Sequence, residues 1–416
     1  MAADNYVPPT LERFQDTLAV VGAAVQRTPL VTSHFLAETI DAQQVYLKCE
    51  NLQRTGSYKL RGAYNHICSL SEQQRSKGVV AASAGNHAQG VAYAAKRLGI
   101  KATIFMPLGV ALPKLQATRN YGANVQLVGV SVEESLAAAK AFAADTGAHF
   151  VPPFDDDDVI AGQGTIALEM LQDAPEITTL VAPIGGGGLI SGVAAAAKQW
   201  AAANGRQLRV IGVHAENAAA VPPSLAAGHP VTIETKPTIA DGIAVARPGT
   251  LNFEVIKDFV DEVVTVSDDD IARAIVLMLE RSKMLVEPAG AAGVAALLSG
   301  KISATGQTVA TVLSGGNIDP LLLQRVIGHG LAAASRYLKL RILLPDRPGQ
   351  LVRTAEIVAG ANANVVEVIH TRHATDLPIS DVELELHIET RGAEHGREVT
   401  AALEDAGYRV RAVASY

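Results

Sequence analysis

Aromatic residues are scarce in this chain of 416 residues, at 4%, with a single tryptophan. Cysteine is scarcer still. Cys49 and Cys68 stand alone without a CxxC spacing, which argues against a disulfide framework and against a structural zinc site. No stretch reaches the roughly 18 apolar residues of a membrane span. The opening residues, Met1 to Pro9, have neither the basic region nor the apolar core of a secretory leader. These absences point to a reducing, cytoplasmic setting with no membrane partner. Positive charge is not in excess either: a net charge of -7 leaves no basic footprint for nucleic acid or an anionic surface. What is left is a globular composition, 48% apolar and 19% charged, long enough for two or three domains.

Ala, Val and Gly are abundant, a mix suited to closely packed α/β layers. From residue 45 to about 320, short β-branched runs alternate with Ala-rich helical stretches. The runs are Val79–Ala82, Ala102–Met106, Val125–Val128, Thr179–Ile184, Val210–Val213, Val263–Val266 and Thr308–Leu313. Such alternation predicts parallel sheets covered on both faces. Near Leu331–Tyr337 the character changes. Strands over Leu338–Leu344, Val365–His373, Asp381–Glu389 and Tyr408–Val413, with helices ending at about Gly360 and spanning Glu394–Ala406, spell β-α-β-β-α-β, a ferredoxin-like unit. The clean period of two in Asp381–Glu389 predicts one solvated sheet face and one covered by the two helices. The run Asp155–Asp158 reads as a solvated loop capping the helix after it; four consecutive aspartates cannot all face one ion, so no metal site is expected there.

Chemistry concentrates at one lysine and three turns. Lys59 stands where a helix is expected to begin, facing the positive end of its dipole, and partial burial also disfavours its charge. A neutral lysine amine is what Schiff-base chemistry with a carbonyl cofactor requires. The first turn, Ser83-Ala84-Gly85-Asn86-His87, joins the strand ending at Ala82 to a helix over His87–Leu98, and exposes backbone N–H groups to a carboxylate or phosphate. The second, Gly185-Gly186-Gly187-Gly188, permits close backbone approach and forms an anion-cradling nest. It lacks the G-x-G-x-x-G spacing of a dinucleotide site, because the third position is Ser191. The third, Ser314-Gly-Gly316-Asn317, offers a hydroxyl to a heterocyclic nitrogen. A lysine for an aldehyde, a nest for a phosphate, an Asn for a phenolic oxygen and a serine for a pyridine nitrogen together match the groups of pyridoxal 5'-phosphate.

These residues resemble a known family. Glu50-Asn-Leu-Gln-Arg-Thr-Gly-Ser-Tyr-Lys59-Leu-Arg-Gly-Ala, Ser83-Ala-Gly-Asn86-His-Ala-Gln-Gly, Pro152-Pro-Phe-Asp-Asp, Gly162-Gln-Gly-Thr-Ile, Gly185–Gly188, Thr238-Ile-Ala-Asp-Gly, Glu287-Pro-Ala-Gly and Ser314-Gly-Gly-Asn are similar to motifs of threonine dehydratases, serine/threonine ammonia-lyases of the tryptophan-synthase-β fold type. The resemblance implies two doubly wound subdomains of the pyridoxal-phosphate fold type II. The catalytic domain is expected over 1–330, with a smaller subdomain at about 55–155 inside it. It implies that Lys59 carries the cofactor and moves the proton at Cα, with Tyr58 beside the ring. Asn86 would meet the ring oxygen, Gly185, Gly186, Gly187 and Gly188 the phosphate, and Ser314 the pyridine nitrogen. Ser83, Ala84, Gly85 and His87 would line the pocket for the substrate carboxylate. The implied reaction converts L-threonine, or L-serine, to a 2-oxo acid and ammonia.

Two departures narrow the reading. Serine racemases carry a second serine where this chain has Ala84, so racemisation should be poor. They also hold a divalent metal with carboxylates after the strand matching Val210–Val213, where this chain reads His214-Ala-Glu216-Asn-Ala-Ala-Ala220; no essential metal is expected. A serine racemase or β-replacing synthase of the same fold, and a catalytically inert amino-acid sensor, stay as alternatives. Residues 336–416 resemble a single ACT domain, whose turn Asp346, Pro348, Gly349 and Leu351 would hold an amino-acid effector, isoleucine or valine by analogy, in a homo-oligomer of two or four chains. Preference between threonine and serine, and a biosynthetic or catabolic role, stay open at this point.

Overall fold

The computed structural model describes residues 6–372 and 380–413. The chain divides into a unit Met1–Pro320 and a unit Leu321–Tyr416. Strands of the first unit are β1 (Leu30–Thr32), β2 (Gln44–Lys48), β3 (Val79–Ala82), β4 (Ala102–Met106) and β5 (Asn124–Leu127). There follow β6 (His149–Phe150), β7 (Thr179–Pro183), β8 (Arg209–Ala215), β9 (Glu262–Val266) and β10 (Thr308–Val312). A six-stranded sheet runs β1-β2-β10-β7-β8-β9, parallel except at the β1–β2 edge. A four-stranded sheet runs β5-β4-β3-β6 and is parallel throughout. The expected β-branched runs are all strands; Val79–Ala82 and Ala102–Met106 match end to end, and the other five differ at one or both ends by one or two residues. The antiparallel edge strand β1 and the two-residue β6 were not expected, because segments of two or three residues are too short to show a period.

The helices Asp157–Asp173 and Gly188–Ala203 are buried along most of their length, which explains their near-continuous apolar and small residues. Their packing is backbone to backbone. A Cβ added at Gly162 would stand 2.6 Å from the Cα of Gly62 in the helix Lys59–Ser69, and one at Gly192 would stand 2.5 Å from the Gly164 nitrogen. Only glycine permits these approaches, so the stretch Gly162-Gln-Gly-Thr-Ile is a packing motif that seats the Lys59 helix.

Beneath that helix lies a buried charge cluster. Arg61 forks onto Glu50 at 3.0 and 2.8 Å and onto Glu169 at 2.7 and 2.8 Å. Lys48 donates to Glu169 at 2.6 Å and to the Thr28 carbonyl at 2.8 Å. Lys48, Glu50 and Arg61 are 0% exposed. Two cations against two anions leave the group neutral, and every member is hydrogen-bonded, which is the condition under which ions tolerate burial.

The aspartate run corrects the expectation of a solvated loop. Asp156 does cap the helix Asp157–Asp173, accepting from the Val159 N–H. Asp155, however, accepts from the N–H groups of Thr250 and Leu251 at another helix start, Asp157 binds Tyr6 and Arg13, and Asp158 binds Arg13 and Ser69. The carboxylates staple several elements, Asp157 and Asp158 sharing Arg13 while Asp156 and Asp158 both reach the helix Lys59–Ser69, so sequence adjacency hid these partners. Among the described residues, His66, Asp156 and Asp158 are the one trio close enough to share an ion, and all three are already hydrogen-bonded to protein groups.

The second unit has β11 (Tyr337–Pro345), a helix Gln350–Gly360, β12 (Asn364–Thr371), β13 (Asp381–Glu389), a helix Ala393–Asp405 and β14 (Arg409–Val413). Its antiparallel sheet runs β12-β13-β11-β14. Strand β12 ends at Thr371; the expected continuation to His373 lies outside the described residues. Val382, Leu384, Leu386 and Ile388 are buried, as the period of two requires. The opposite face is ion-paired rather than simply solvated: Glu385 meets Lys339 and Arg341 at 2.8 Å each. Among the described residues no helix is long and apolar enough to cross a membrane.

Candidate active site

Lys59 is the first residue of its helix, Lys59–Ser69. Its Nζ donates to the Pro153 carbonyl at 2.9 Å and lies 5.3 Å from the centre of the Tyr58 ring. Burial pushes its pKa down to about 8, against the opposing pull of Glu287. The residue after its acceptor, Phe154, packs on the second glycine turn: a Cβ at Gly186 would come within 2.4 Å of the Phe154 ring. The amine and the nest are therefore one residue apart along a shared wall.

Gly185, Gly186 and Gly187 follow β7 and lead into the helix Gly188–Ala203, with Gly187 at φ 105. A side chain at Gly187 would combine that strained φ with a contact of 2.7 Å to the Asn252 Cβ. Among the described residues, the N–H groups of Gly186, Gly187 and Gly188 meet no acceptor. Free donors at a helix N-terminus, in a hollow that only glycines leave open, fit a phosphate dianion.

The Asn86 turn is organised in the same way. The helix Asn86–Leu98 has no side-chain cap, and among the described residues the N–H groups of Asn86, His87 and Ala88 meet no acceptor. Asn86 is the first helical residue rather than its cap, so its amide is free for another task. Ser83 accepts from the Gly85 N–H at 3.1 Å and so shapes the turn. Ala84 adds no polar atom. The His87 ring faces inward: Nε2 donates to the Val151 carbonyl at 3.0 Å, and burial holds its pKa down at about 3. His87 is thus a neutral strut whose backbone N–H, not its ring, is open to an anion.

The third turn is zipped to the first lysine. Ser57 and Gly315 form a bridge, Tyr58 N–H donates to the Ser314 carbonyl at 3.1 Å, and Gly316 N–H donates to the Gly56 carbonyl at 2.9 Å. The buried Ser314 hydroxyl has no hydrogen-bond partner among the described residues. It is available to a heterocyclic nitrogen. All of Tyr58, Lys59, Ser83 to His87, Gly185 to Gly188 and Ser314 are brought to one place within the first unit.

Two further residues join the turns. Asn86 Nδ2 donates to Glu287 Oε1 at 2.7 Å, while Asn86 Oδ1 accepts from Asn317 Nδ2 at 2.9 Å, which fixes the amide orientation and leaves one Nδ2 hydrogen to give. Asn317 also donates to the Thr55 carbonyl at 2.8 Å. Burial raises the Glu287 pKa to about 7, and nearby Asp241 adds to the rise. Both residues lie inside motifs visible in the sequence, but only the fold shows that they brace Asn86. In the second unit, Gly349, at φ 89, precedes the helix Gln350–Gly360, Arg372 approaches Asp346 at 3.4 Å, and Leu351 is exposed. That helix too has no side-chain cap.

Residues 21–315 match the family model of pyridoxal-phosphate dependent enzymes. The chain is 48% identical over 404 residues to an L-threonine ammonia-lyase of Thermotoga maritima, covering 97% of this chain and 99% of that protein. Among solved structures, maize serine racemase superposes with a TM-score of 0.72 at 37% identity, over 77% of this chain and 97% of that one. The processed form of threonine deaminase isoform 2 from Solanum lycopersicum gives the same TM-score, 0.72, at 34% identity, over 79% of this chain and 98% of that one.

Proposed function

The chain belongs to the pyridoxal-phosphate dependent enzymes, and from that premise we propose that it is an L-threonine ammonia-lyase in which Lys59 is the working base. The observation that carries this is the desolvated Lys59 amine, ringed by three turns whose N–H or hydroxyl groups are unspent. When bound, the cofactor supplies an electron sink for the charge left at the substrate Cα. Lys59 would hold the cofactor's aldehyde, and its amine, set free when the substrate amine takes its place, would take the Cα proton on Nζ. Gly185 to Gly188 would hold the phosphate, Asn86 would donate to the ring oxygen, and Ser314 would meet the ring nitrogen. The N–H groups at Asn86 and His87 orient the substrate carboxylate, and Tyr58 and Phe154 keep water from the ring. The β-hydroxyl leaves as water, and the released enamine tautomerises and is hydrolysed by water to 2-oxobutanoate from L-threonine, or pyruvate from L-serine, together with ammonia.

The direct test is release of 2-oxobutanoate and ammonia from L-threonine by the cofactor-loaded protein; neither product within hours would overturn the reading. Ala84 offers no hydroxyl for the opposite face of the substrate, so D-serine should form from L-serine far more slowly than pyruvate. Rapid D-serine formation would favour the racemase reading instead.

Glu287 is the residue whose ionisation should colour the pH profile. Burial raises its pKa to about 7, so it is protonated below that pH and charged above it. Glu287→Gln is expected to remove an inflection near pH 7 from the pH dependence of kcat and to lower kcat by roughly 10-fold through a less firmly held Asn86.

Within the unit Leu321–Tyr416, residues 336–416 are read as an ACT-like regulatory domain of ferredoxin-like topology. Its sheet order and the uncapped helix start after Asp346, Pro348 and Gly349 support this, since free N–H groups there suit an amino-acid carboxylate. Coupling to the catalytic unit would be worth about 1–3 kcal/mol. Removing residues 336–416 should leave elimination intact and abolish any response to isoleucine or valine, measured by activity against effector concentration. An unchanged response in the shortened protein would defeat the regulatory reading. An oligomer of two or four chains in solution belongs to the same proposal.

A further inference from the structure

Lys114 lies on the helix Leu112–Asn120, and its Nζ is 2.9 Å from Asp241 Oδ2. The same Nζ stands 3.9 Å from the point a Cβ on Gly85 would occupy, the nearest atom from outside the turn to that point. An ammonium therefore hangs over the turn whose N–H groups at Asn86, His87 and Ala88 have no acceptor among the described residues. The two partners of the ion pair are unequally placed. The Lys114 side chain is 18% exposed, whereas that of Asp241 is 63% exposed. A cation mostly withdrawn from water is thus neutralised by an anion mostly in it, and so exposed a carboxylate holds its partner weakly. Both charges reach the pocket interior, where Asp241 raises and Lys114 lowers the proton affinity of Glu287.

We propose that Lys114 is the side-chain receptor for the substrate α-carboxylate, and that Asp241 is the competing anion it leaves when an amino acid seats on the Ser83–His87 turn. The inference rests on the amino-acid lyase reading and adds to it a residue that selects the substrate. Backbone N–H groups at a helix start donate to any anion or polar oxygen. An ammonium adds a charge-assisted bond that a neutral amide of the same shape cannot answer. Lys114 thereby makes a free carboxylate a requirement, and Asp241 keeps the ammonium paired until one arrives.

The experiment uses the full-length, cofactor-loaded protein and the variants Lys114→Met, Lys114→Arg and Asp241→Asn. Steady-state kinetics are measured on L-threonine and L-threoninamide. Binding of L-2-aminobutanoate, the substrate without its leaving group, is followed through the cofactor spectrum. Lys114→Met is expected to raise the KM for L-threonine and the Kd for L-2-aminobutanoate by about 10- to 100-fold, with a much smaller change in kcat. Preference for the acid over the amide should fall by the same factor, and Lys114→Arg should recover most of it. Asp241→Asn should move the other way, tightening L-2-aminobutanoate by about 2- to 5-fold as the competitor is removed. A pair that only braces its helix predicts equal losses from Lys114→Met and Asp241→Asn, alike for acid and amide; that pattern overturns the proposal. A wild-type protein that fails to turn over L-threonine overturns the lyase reading instead, before any variant is compared.

Discussion

Replacing Lys59 by alanine is expected to cut L-threonine turnover by about 10⁴-fold or more, since one amine serves as both nucleophile and base. Neither His87 nor Glu287 can substitute. His87 is locked on the Val151 carbonyl and stays neutral, its pKa held at about 3 by burial. Glu287 is committed to the Asn86 amide. The same variant, mixed with pyridoxal phosphate, should lack the visible absorption band of the linked cofactor. The wild-type amine carries its own signature. With a pKa lowered to about 8 by burial, it is mostly protonated below that pH and mostly neutral above it. Capture of the aldehyde should therefore accelerate as pH rises through about 8 and then level off. An ordinary exposed lysine would go on accelerating toward pH 10. Stopped-flow absorbance on the cofactor-free protein separates the two, and a rate still climbing at high pH would show that the amine is not desolvated.

The largest stability effect is expected at Arg61. Arg61→Met leaves Glu50 and Glu169 facing each other in a dry interior with only Lys48 to balance them, and should cost about 3–5 kcal/mol. The denaturant midpoint, with an unchanged slope, is the measurement. Arg61→Lys should recover only part of the loss, because one ammonium cannot replace a fork that spans both carboxylates. A midpoint shifted by less than about 1 kcal/mol would mean that the cluster contributes to positioning and little to stability.

The chemistry-bearing parts were legible because each is local. A glycine turn after an apolar strand announces itself in five residues; the turns of Asn86, Gly185 to Gly188 and Ser314 are read that way, and Lys59 from its place at a helix start. Strand ends were off by a residue or two, since hydrophobic periodicity does not mark where hydrogen bonding stops. Glu287 and Asn317 were hidden by distance: Glu287 reaches Asn86 across 201 positions of sequence, and Asn317 reaches it across 231. A charged residue two places after Lys59 reads as a helix surface, and nothing in its neighbours tells that Arg61 is 0% exposed. The aspartate run misled for the opposite reason. Adjacent like charges suggested a common solvated fate, whereas the fold engages each with protein donors, Asp157 and Asp158 sharing Arg13.

Where helices meet glycine against glycine there is no side-chain cushion to compress. The Lys59 helix abuts its neighbour at Gly62 and Gly162, and the carbonyl carbon of Lys59 itself lies 3.2 Å from the point a Cβ on Gly90 would occupy. The base is consequently bolted into the scaffold, and no gradual enlargement of nearby residues can retune its aim. A change of substrate range, in nature or in the laboratory, has to be made elsewhere. The helix that carries Lys114 buries only Leu115 and Thr118, and it is there that the molecule retains room to diversify.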